Sequence, residues 1–148
     1  MEMAKNTINI TVDHVGIAVD DLDKYIKMFE DIGGKLKYRG LAETYEAECA
    51  FMDFGNVEIE LIANSTPIKN HIDRFIEKYG VGLHHLAVKG EGIYAGAKPG
   101  MLVDFNKVDK NNRILIEVVK YDKFWNVINR RIKNVWSSFF RKGKHKSR

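Results

Sequence analysis

The run Val81-Gly82-Leu83-His84-His85-Leu86-Ala87-Val88 places two adjacent histidines inside an apolar, strand-forming stretch. Successive side chains of a strand face opposite ways, so only one of the pair can share the interior with Leu83 and Ala87. That one is His85, and His84 is expected to face a helix or solvent. An inward histidine alone is ordinary core chemistry, satisfied by a hydrogen bond. Here it has counterparts. Val12-Asp13-His14-Val15-Gly16-Ile17-Ala18-Val19 alternates in the same way, and the neighbours of His14 on its face, Gly16 and Ala18, are small. Val57-Glu58-Ile59-Glu60-Leu61-Ile62 and Ile114-Leu115-Ile116-Glu117-Val118-Val119 each carry a carboxylate, Glu60 or Glu117, where a hydrophobe is expected. Glu58 is expected at the surface, facing away from Glu60.

The order histidine strand, glutamate strand, histidine strand, glutamate strand marks an internal repeat. His14 and His85 lie 71 residues apart and Glu60 and Glu117 lie 57 apart, so the second copy is shorter by 14 residues, about one helix. Two imidazoles and two carboxylates facing one cavity make a mixed N/O site suited to one hard or borderline divalent ion: Co, Ni, Mn, Zn or Mg. Without a metal or a cationic partner, burying the carboxylates is costly.

The 148 residues, 45% of them hydrophobic, suffice for one compact core or for two small repeats sharing one. A single cysteine, Cys49, excludes an internal disulfide and fits a reducing compartment. No apolar segment follows Met1 and no membrane-length apolar run exists, so a cytoplasmic protein is expected. The net charge of +4 is unevenly spread: residues 120–148 carry ten Lys/Arg against one acid, and the residues before them carry 14 basic against 19 acidic. The core is acidic and the tail basic.

Taken in order, Ile8 to Val19 forms a strand. Asp20 or Asp21 then caps a helix with Leu22, Ile26, Phe29 and Ile32 on one face, ended by Gly33-Gly34. Lys35 to Arg39, Ala47 to Phe54 and the Glu60 segment are strands, giving β-α-β-β-β for a first module at about 8–64. Ser65-Thr66-Pro67 starts a linking helix at 65–80. The second module, about 81–119, has only the glycine-rich Lys89 to Gly100 between its first strand and Met101 to Phe105, so it lacks its helix and one sheet face should lie open.

The C-terminal segment offers a cover. Phe124, Ile128, Ile132, Val135 and Phe139 fall on one helical stripe, predicting a basic amphipathic helix within 120–142, followed by a disordered tail at 143–148. Such a helix packs on the open sheet or on a second subunit; alternatively it lies on an anionic membrane surface. Tail charge alone is weak evidence for nucleic acid, and none is expected as a partner.

The segments Asp13 to Val19, Gly55-Asn56-Val57-Glu58-Ile59-Glu60-Leu61, Ser65 to Ile68 with Phe75 to Lys78, Gly82 to Ala87 and Ile114 to Glu117 together resemble the vicinal oxygen chelate superfamily. That group includes glyoxalase I, extradiol dioxygenases and the bleomycin and fosfomycin resistance proteins. The His-His stretch after the linking helix resembles most the methylmalonyl-CoA epimerase branch. The likeness covers roughly residues 10 to 119. It implies an α+β fold of two βαβββ-type modules forming a U-shaped or barrel-like mixed sheet around a metal site. The ligands it implies are His14, Glu60, His85 and Glu117, the four the repeat selects. The missing helix and the basic tail depart from the family pattern.

The resemblance further implies proton abstraction next to a carbonyl, aided by a divalent ion as Lewis acid. Inverting a carbon by that route needs a base on each side. Glu117 is one candidate, and Glu48, taken as an inward residue of the Ala47 to Phe51 strand, is the other. The substrate would be a small molecule such as an acyl-CoA, and the protein a homodimer. A glyoxalase I-like lactoylglutathione lyase is the alternative enzyme. A small-molecule binding or resistance protein of the same superfamily is the alternative outside catalysis. Lys98, in the glycine-rich loop, is a candidate contact for an anionic substrate, whereas His71 is assigned to a polar stretch of the linking helix.

Overall fold

The computed structural model describes residues 11–107 and 115–123. It is a mixed α+β fold in which one eight-stranded sheet curls into a half-barrel. The elements are β1 (Val12–Ala18), α1 (Leu22–Asp31), β2 (Lys35–Ala42), β3 (Ala47–Asp53), β4 (Glu58–Asn64), α2 (His71–Tyr79), β5 (Gly82–Lys89), β6 (Tyr94–Ala95), β7 (Met101–Lys107) and β8 (Leu115–Tyr121). The strand order is β2-β3-β4-β1-β5-β8-β7-β6. The expected modules are therefore the two halves of one sheet, joined where β1 runs antiparallel to β5.

Register carries the repeat to the level of single residues. β1 pairs in parallel with β4, setting Gly16 opposite Glu60. β5 pairs in parallel with β8, setting Ala87 opposite Glu117. Gly16 and Ala87 each lie two residues past their module's histidine, so each histidine and carboxylate share the inner face by the twofold alternation of strands.

Two apolar clusters fix the layers. Outside the curl, α1 lays Leu22 and Ile26 on Val19, Ala50, Met52 and Leu61. Asp21 starts this helix, its carboxylate accepting from the Lys24 N–H at 3.0 Å. Gly33 releases the chain at φ 102°, a left-handed value that a glycine takes without strain. Inside the curl, Cys49, Phe51, Ile62, Ala87, Met101, Val103 and Val119 form the second cluster, with Ile72 of α2. Burying a side chain such as Leu61 or Met52 completely contributes about 1.5–3 kcal/mol.

Helix α2 begins at His71, later than the Ser65 start expected from sequence. The cap is Asn70, whose side chain accepts from the Ile72 and Asp73 N–H groups while Asp73 reaches back to the Asn70 N–H. Residues 64–68 are held instead as a turn, with Asn64 Oδ1 accepting from the Thr66 N–H at 2.8 Å. Between β5 and β7 there is indeed no helix, but Tyr94–Ala95 forms a two-residue strand on β7.

The segment after β6 crosses to the opposite edge of the sheet. The Tyr45 ring meets those of Tyr94 and Phe105 at 6.3 and 5.2 Å between centroids. Lys98 pairs with Glu58 and sets its Nζ 3.9 Å from the Phe51 ring centroid. Gly40 permits the approach, because a Cβ there would stand 2.7 Å from the Ala97 carbonyl oxygen. Among the described residues no helix is long and apolar enough to cross a membrane. The C-terminal helix expected over Phe124 to Phe140 and the tail at 143–148 lie outside the described residues, as does the expected strand start at Ile8.

Candidate metal centre

His14, Glu60, His85 and Glu117 converge inside the curl. Their exposures are 0%, 4%, 2% and 3%, and one ligand atom from each lies within 4.8 Å of all the others. The Nε2 atoms of the two histidines are 3.2 Å apart. Each is 3.1 Å from Glu60 Oε2. Glu117 completes the group, with Oε1 3.4 Å from His14 Nε2 and Oε2 3.7 Å from His85 Nε2.

The electrostatics are those of a buried acid-base cluster. Burial would lower the His14 imidazolium, but its hydrogen bonds to Asp13 and Glu60 raise it to about 10. Burial would raise Glu60, yet hydrogen bonds from His14 and His85 hold it well below the usual carboxylate range. Glu117 is pushed up to about 8, by burial first and by the Glu60 charge second. The residues fit a divalent ion on two grounds. Among the described residues, buried Glu117 Oε1 has no hydrogen-bond partner, which is costly for a carboxylate. The donor set of two imidazoles and two carboxylates is also one that Zn, Co, Ni or Mn accepts.

Local sequence explains how two histidine rings fit here. A Cβ on Gly16 would stand 2.1 Å from His85 Cε1, so the ring lies directly over the glycine. Small Gly16 is thus a cradle for the other module's histidine. Phe51 and Phe105 set ring edges against His14 and His85, at 5.6 and 5.4 Å between centroids.

The strand alternation is broken at His84-His85. Gly16 pairs with His85 but Ile17 with Leu83, leaving His84 as an extra residue. His84 therefore turns inward beside His85 and is 7% exposed, whereas Leu83 is 64% exposed. This corrects the expectation that Leu83 lies inside with His85. His84 meets the helix side, its ring 4.8 Å from that of Phe75. A signal was available: Leu83 and Leu86, the outward pair, stand three apart rather than two.

Glu48 is not brought to the cluster. It points to the outer face, where it accepts from Arg39 Nε at 2.7 Å, and Arg39 also holds Asp23 of α1. It lies between the inward residues Cys49 and Ala47, so alternation turns it away. Glu58 is likewise corrected: two residues from Glu60, it shares that side of the sheet and pairs with Lys98. Lys98 is thereby engaged inside the chain. His71, set aside in the sequence reading, lines a cavity of about 20 Å3 together with Tyr45, Cys49, Glu60, Phe105 and Glu117. That is room for about one water.

Comparisons with known proteins agree with this architecture. Residues 13–98 match the Glyoxalase/Bleomycin resistance protein/Dioxygenase superfamily. The uncharacterized protein YqjC of Bacillus subtilis is 34% identical over 77 residues, 51% of this chain and 54% of that protein, so the match spans about half the length of that relative. The hypothetical protein BH1468 of Bacillus halodurans superposes with a TM-score of 0.68 at 22% identity, covering 78% of this chain and 96% of that one. Methylmalonyl-CoA epimerase from Mycobacterium tuberculosis gives 0.65 at 24% identity, covering 78% and 91%. A variant of the Streptomyces coelicolor methylmalonyl-CoA epimerase in complex with 2-nitronate-propionyl-CoA gives 0.65 at 18%, covering 76% and 95%. With more than half of its length matched by the family pattern and the sheet built as two four-stranded halves, the chain belongs to the Glyoxalase/Bleomycin resistance protein/Dioxygenase superfamily.

Proposed function

We propose that this protein is a metal-dependent isomerase that removes and returns the proton next to a carbonyl, with an acyl-CoA of the methylmalonyl-CoA type as its substrate. The observation that carries the reading is the convergence of four buried histidine and glutamate side chains, with one carboxylate oxygen that takes no hydrogen bond among the described residues. A divalent ion held by His14, Glu60, His85 and Glu117 supplies Lewis acidity at the carbonyl. Glu60, held ionised by both histidines, serves as a fixed ligand. Glu117, whose Oε1 takes no hydrogen bond among the described residues, is the carboxylate suited to take up and give back a proton at the reacting carbon. His71 lines the same cavity, and burial and Arg74 hold its imidazolium below the ordinary value. It is a neutral second group for the opposite proton transfer. Phe51, Phe105 and Tyr45 keep bulk water from the reacting carbon.

The outward placement of Glu48 supports a second reading. With Glu117 as the carboxylate placed for proton transfer, one base can move a proton between neighbouring carbons on one side, as a glyoxalase I-like lyase does with a thiol adduct.

The test is elemental analysis of the full-length protein and of His85→Ala, followed by solvent deuterium exchange at the α-carbon of methylmalonyl-CoA and of a hemithioacetal. About one ion per chain, lost in the variant, with exchange on the first substrate supports the isomerase. Exchange on the second alone supports the lyase. No metal in either protein after incubation with cobalt or nickel sinks both and favours a small-molecule binding protein.

A further inference from the structure

We infer that Asp13 and His84, the residues directly before the two ligand histidines, are positioning residues. They decide which nitrogen of each imidazole carries the proton, so that both Nε2 atoms offer lone pairs to the ion. The inference rests on the metal-site reading above and adds the groups that prepare it.

The same device occurs in both modules. In β1, Val12 pairs with Val88 and His14 with Ala87, leaving Asp13 as the extra residue; in β5, His84 is the extra residue between Leu83 and His85. Such a bulge re-aims a side chain. Asp13 thus comes beside the ligand that follows it, with Oδ2 2.8 Å from His14 Nδ1. The Tyr121 hydroxyl donates to the same Oδ2 at 2.9 Å. In β5, His84 Nδ1 stands 2.9 Å from His85 Nδ1.

An ionised carboxylate only accepts, so the hydrogen between Asp13 and His14 belongs to His14 Nδ1, and a neutral His14 then has a bare Nε2. The second pair has two solutions. If His84 gives the shared hydrogen, His85 keeps its own on Nε2, 3.1 Å from Glu60 Oε2, and has no lone pair for an ion. If His85 gives it, Nε2 is free and His84 carries its proton on the far nitrogen. Holding an ion requires the second arrangement, with His84 as acceptor. The rings of Phe75 and Phe105, at 4.8 and 6.4 Å between centroids, fix the plane in which His84 offers its Nδ1. The two supports differ in kind: Asp13 adds a charge and His84 does not.

The experiment uses full-length protein with 15N-labelled histidine, of which there are five, and Zn(II) as the probe. Long-range 15N–1H spectra read the tautomers, and competition with a chromophoric chelator reads affinity. In the loaded wild type, His14 and His85 should both show protonated Nδ1 and coordinated Nε2. Asp13→Ala and His84→Phe should each lower Zn(II) affinity on the order of 10–100-fold. His84→Asn, which keeps an acceptor near the Nδ1 position, should recover most of the loss, a difference that a purely structural role would not produce. If His84→Phe does not fold, the wild-type spectrum, Asp13→Ala and His84→Asn decide. Binding through Nδ1 of His85, or wild-type affinity in Asp13→Ala and His84→Phe, overturns the inference while leaving the metal site standing. Failure of the wild type to bind Zn(II), Co(II) or Ni(II) overturns the site itself.

Discussion

Phe51 and Phe105 hold equivalent stations in the two modules: each is paired across the ladder with its module's buried carboxylate, Glu60 or Glu117. Each also sets its ring edge-on to that module's histidine. The aromatic side chain thus walls the cluster and limits the tilt of its histidine. Phe51 is fully buried, so Phe51→Ala is expected to destabilise the fold by about 3–5 kcal/mol. Urea unfolding of metal-free protein measures it, and a loss below about 1 kcal/mol would show that the site collapses freely around the gap.

Gly16 is where one module makes room for the other's histidine. In Gly16→Ala the His85 ring must move, since the new methyl would fall 2.1 Å from Cε1. Metal affinity should drop more than tenfold, by analogy with the loss of ligand orientation, with a smaller effect on melting of the metal-free protein. Chelator competition and thermal melts together check it, and unchanged affinity would mean that the ring has another seat.

The pH dependence has a definite sign. His14 is raised from 6.5 to about 10 by Asp13 and Glu60 against the effect of burial, and Glu117 from 4.5 to about 8 by burial and Glu60. Both bind a proton more tightly folded than unfolded. Their contribution is therefore complete below the unfolded values and is lost as pH rises through the folded ones. Metal-free protein should melt at lower temperature as pH climbs from about 6 to about 10. Glu60, lowered by the histidines, acts in the acid range and does not reverse this. A bound ion displaces the same protons, so its affinity rises with pH over that window. Melting curves with and without chelator read both effects; a gap between them that narrows with rising pH would contradict the assignment.

Cys49 reports on access. It is 1% exposed and lines the small cavity with Glu60, beneath the segment that Lys98 pins to Glu58 and Phe51. Burial, then the Glu60 charge, pushes its thiol well up. A cavity of about 20 Å3 cannot admit an acyl-CoA, so on the proposed reading the segment lifts when substrate enters. Removing a latch worth about 1–2 kcal/mol should speed maleimide labelling of Cys49 by roughly tenfold in Lys98→Ala. Equal rates in both proteins would show that Lys98 does not hold the segment down.

Glu48→Gln is expected to leave metal content unchanged, and to lower stability by less than about 1 kcal/mol through the exposed Arg39 pair. Loss of the ion in this variant would place the side chain on the inner face after all.

The four converging residues were legible because a strand exposes its period, and a histidine or glutamate out of place on an apolar face stands out when it occurs four times in a repeating order. Helix α1 was legible down to a cap at Asp20 or Asp21, of which Asp21 takes the bond, and a stop at Gly33-Gly34. What hid was the irregular backbone. A bulge adds one residue without changing composition, so alternation counted straight through His84-His85 put Leu83 inside when it lies outside. Glu48 failed for the opposite reason: its strand is regular, and simple alternation from Cys49 places it outward. Asn70 outcompeted Ser65 as a cap because Asp73 stands three residues after it, a reciprocal partner that Ser65 lacks.

The pairing of β1 with β5 sets the modules back to back along a seam, and the donors straddle it, His14 and Glu60 on one side, His85 and Glu117 on the other. An ion shared by all four would be a rivet between the halves of the chain, and withdrawing it would loosen the join as well as the proposed chemistry. A single module of this kind holds half a set of donors and completes it only by meeting a second copy of itself. Fusion of two such units turns that encounter between molecules into a link within one.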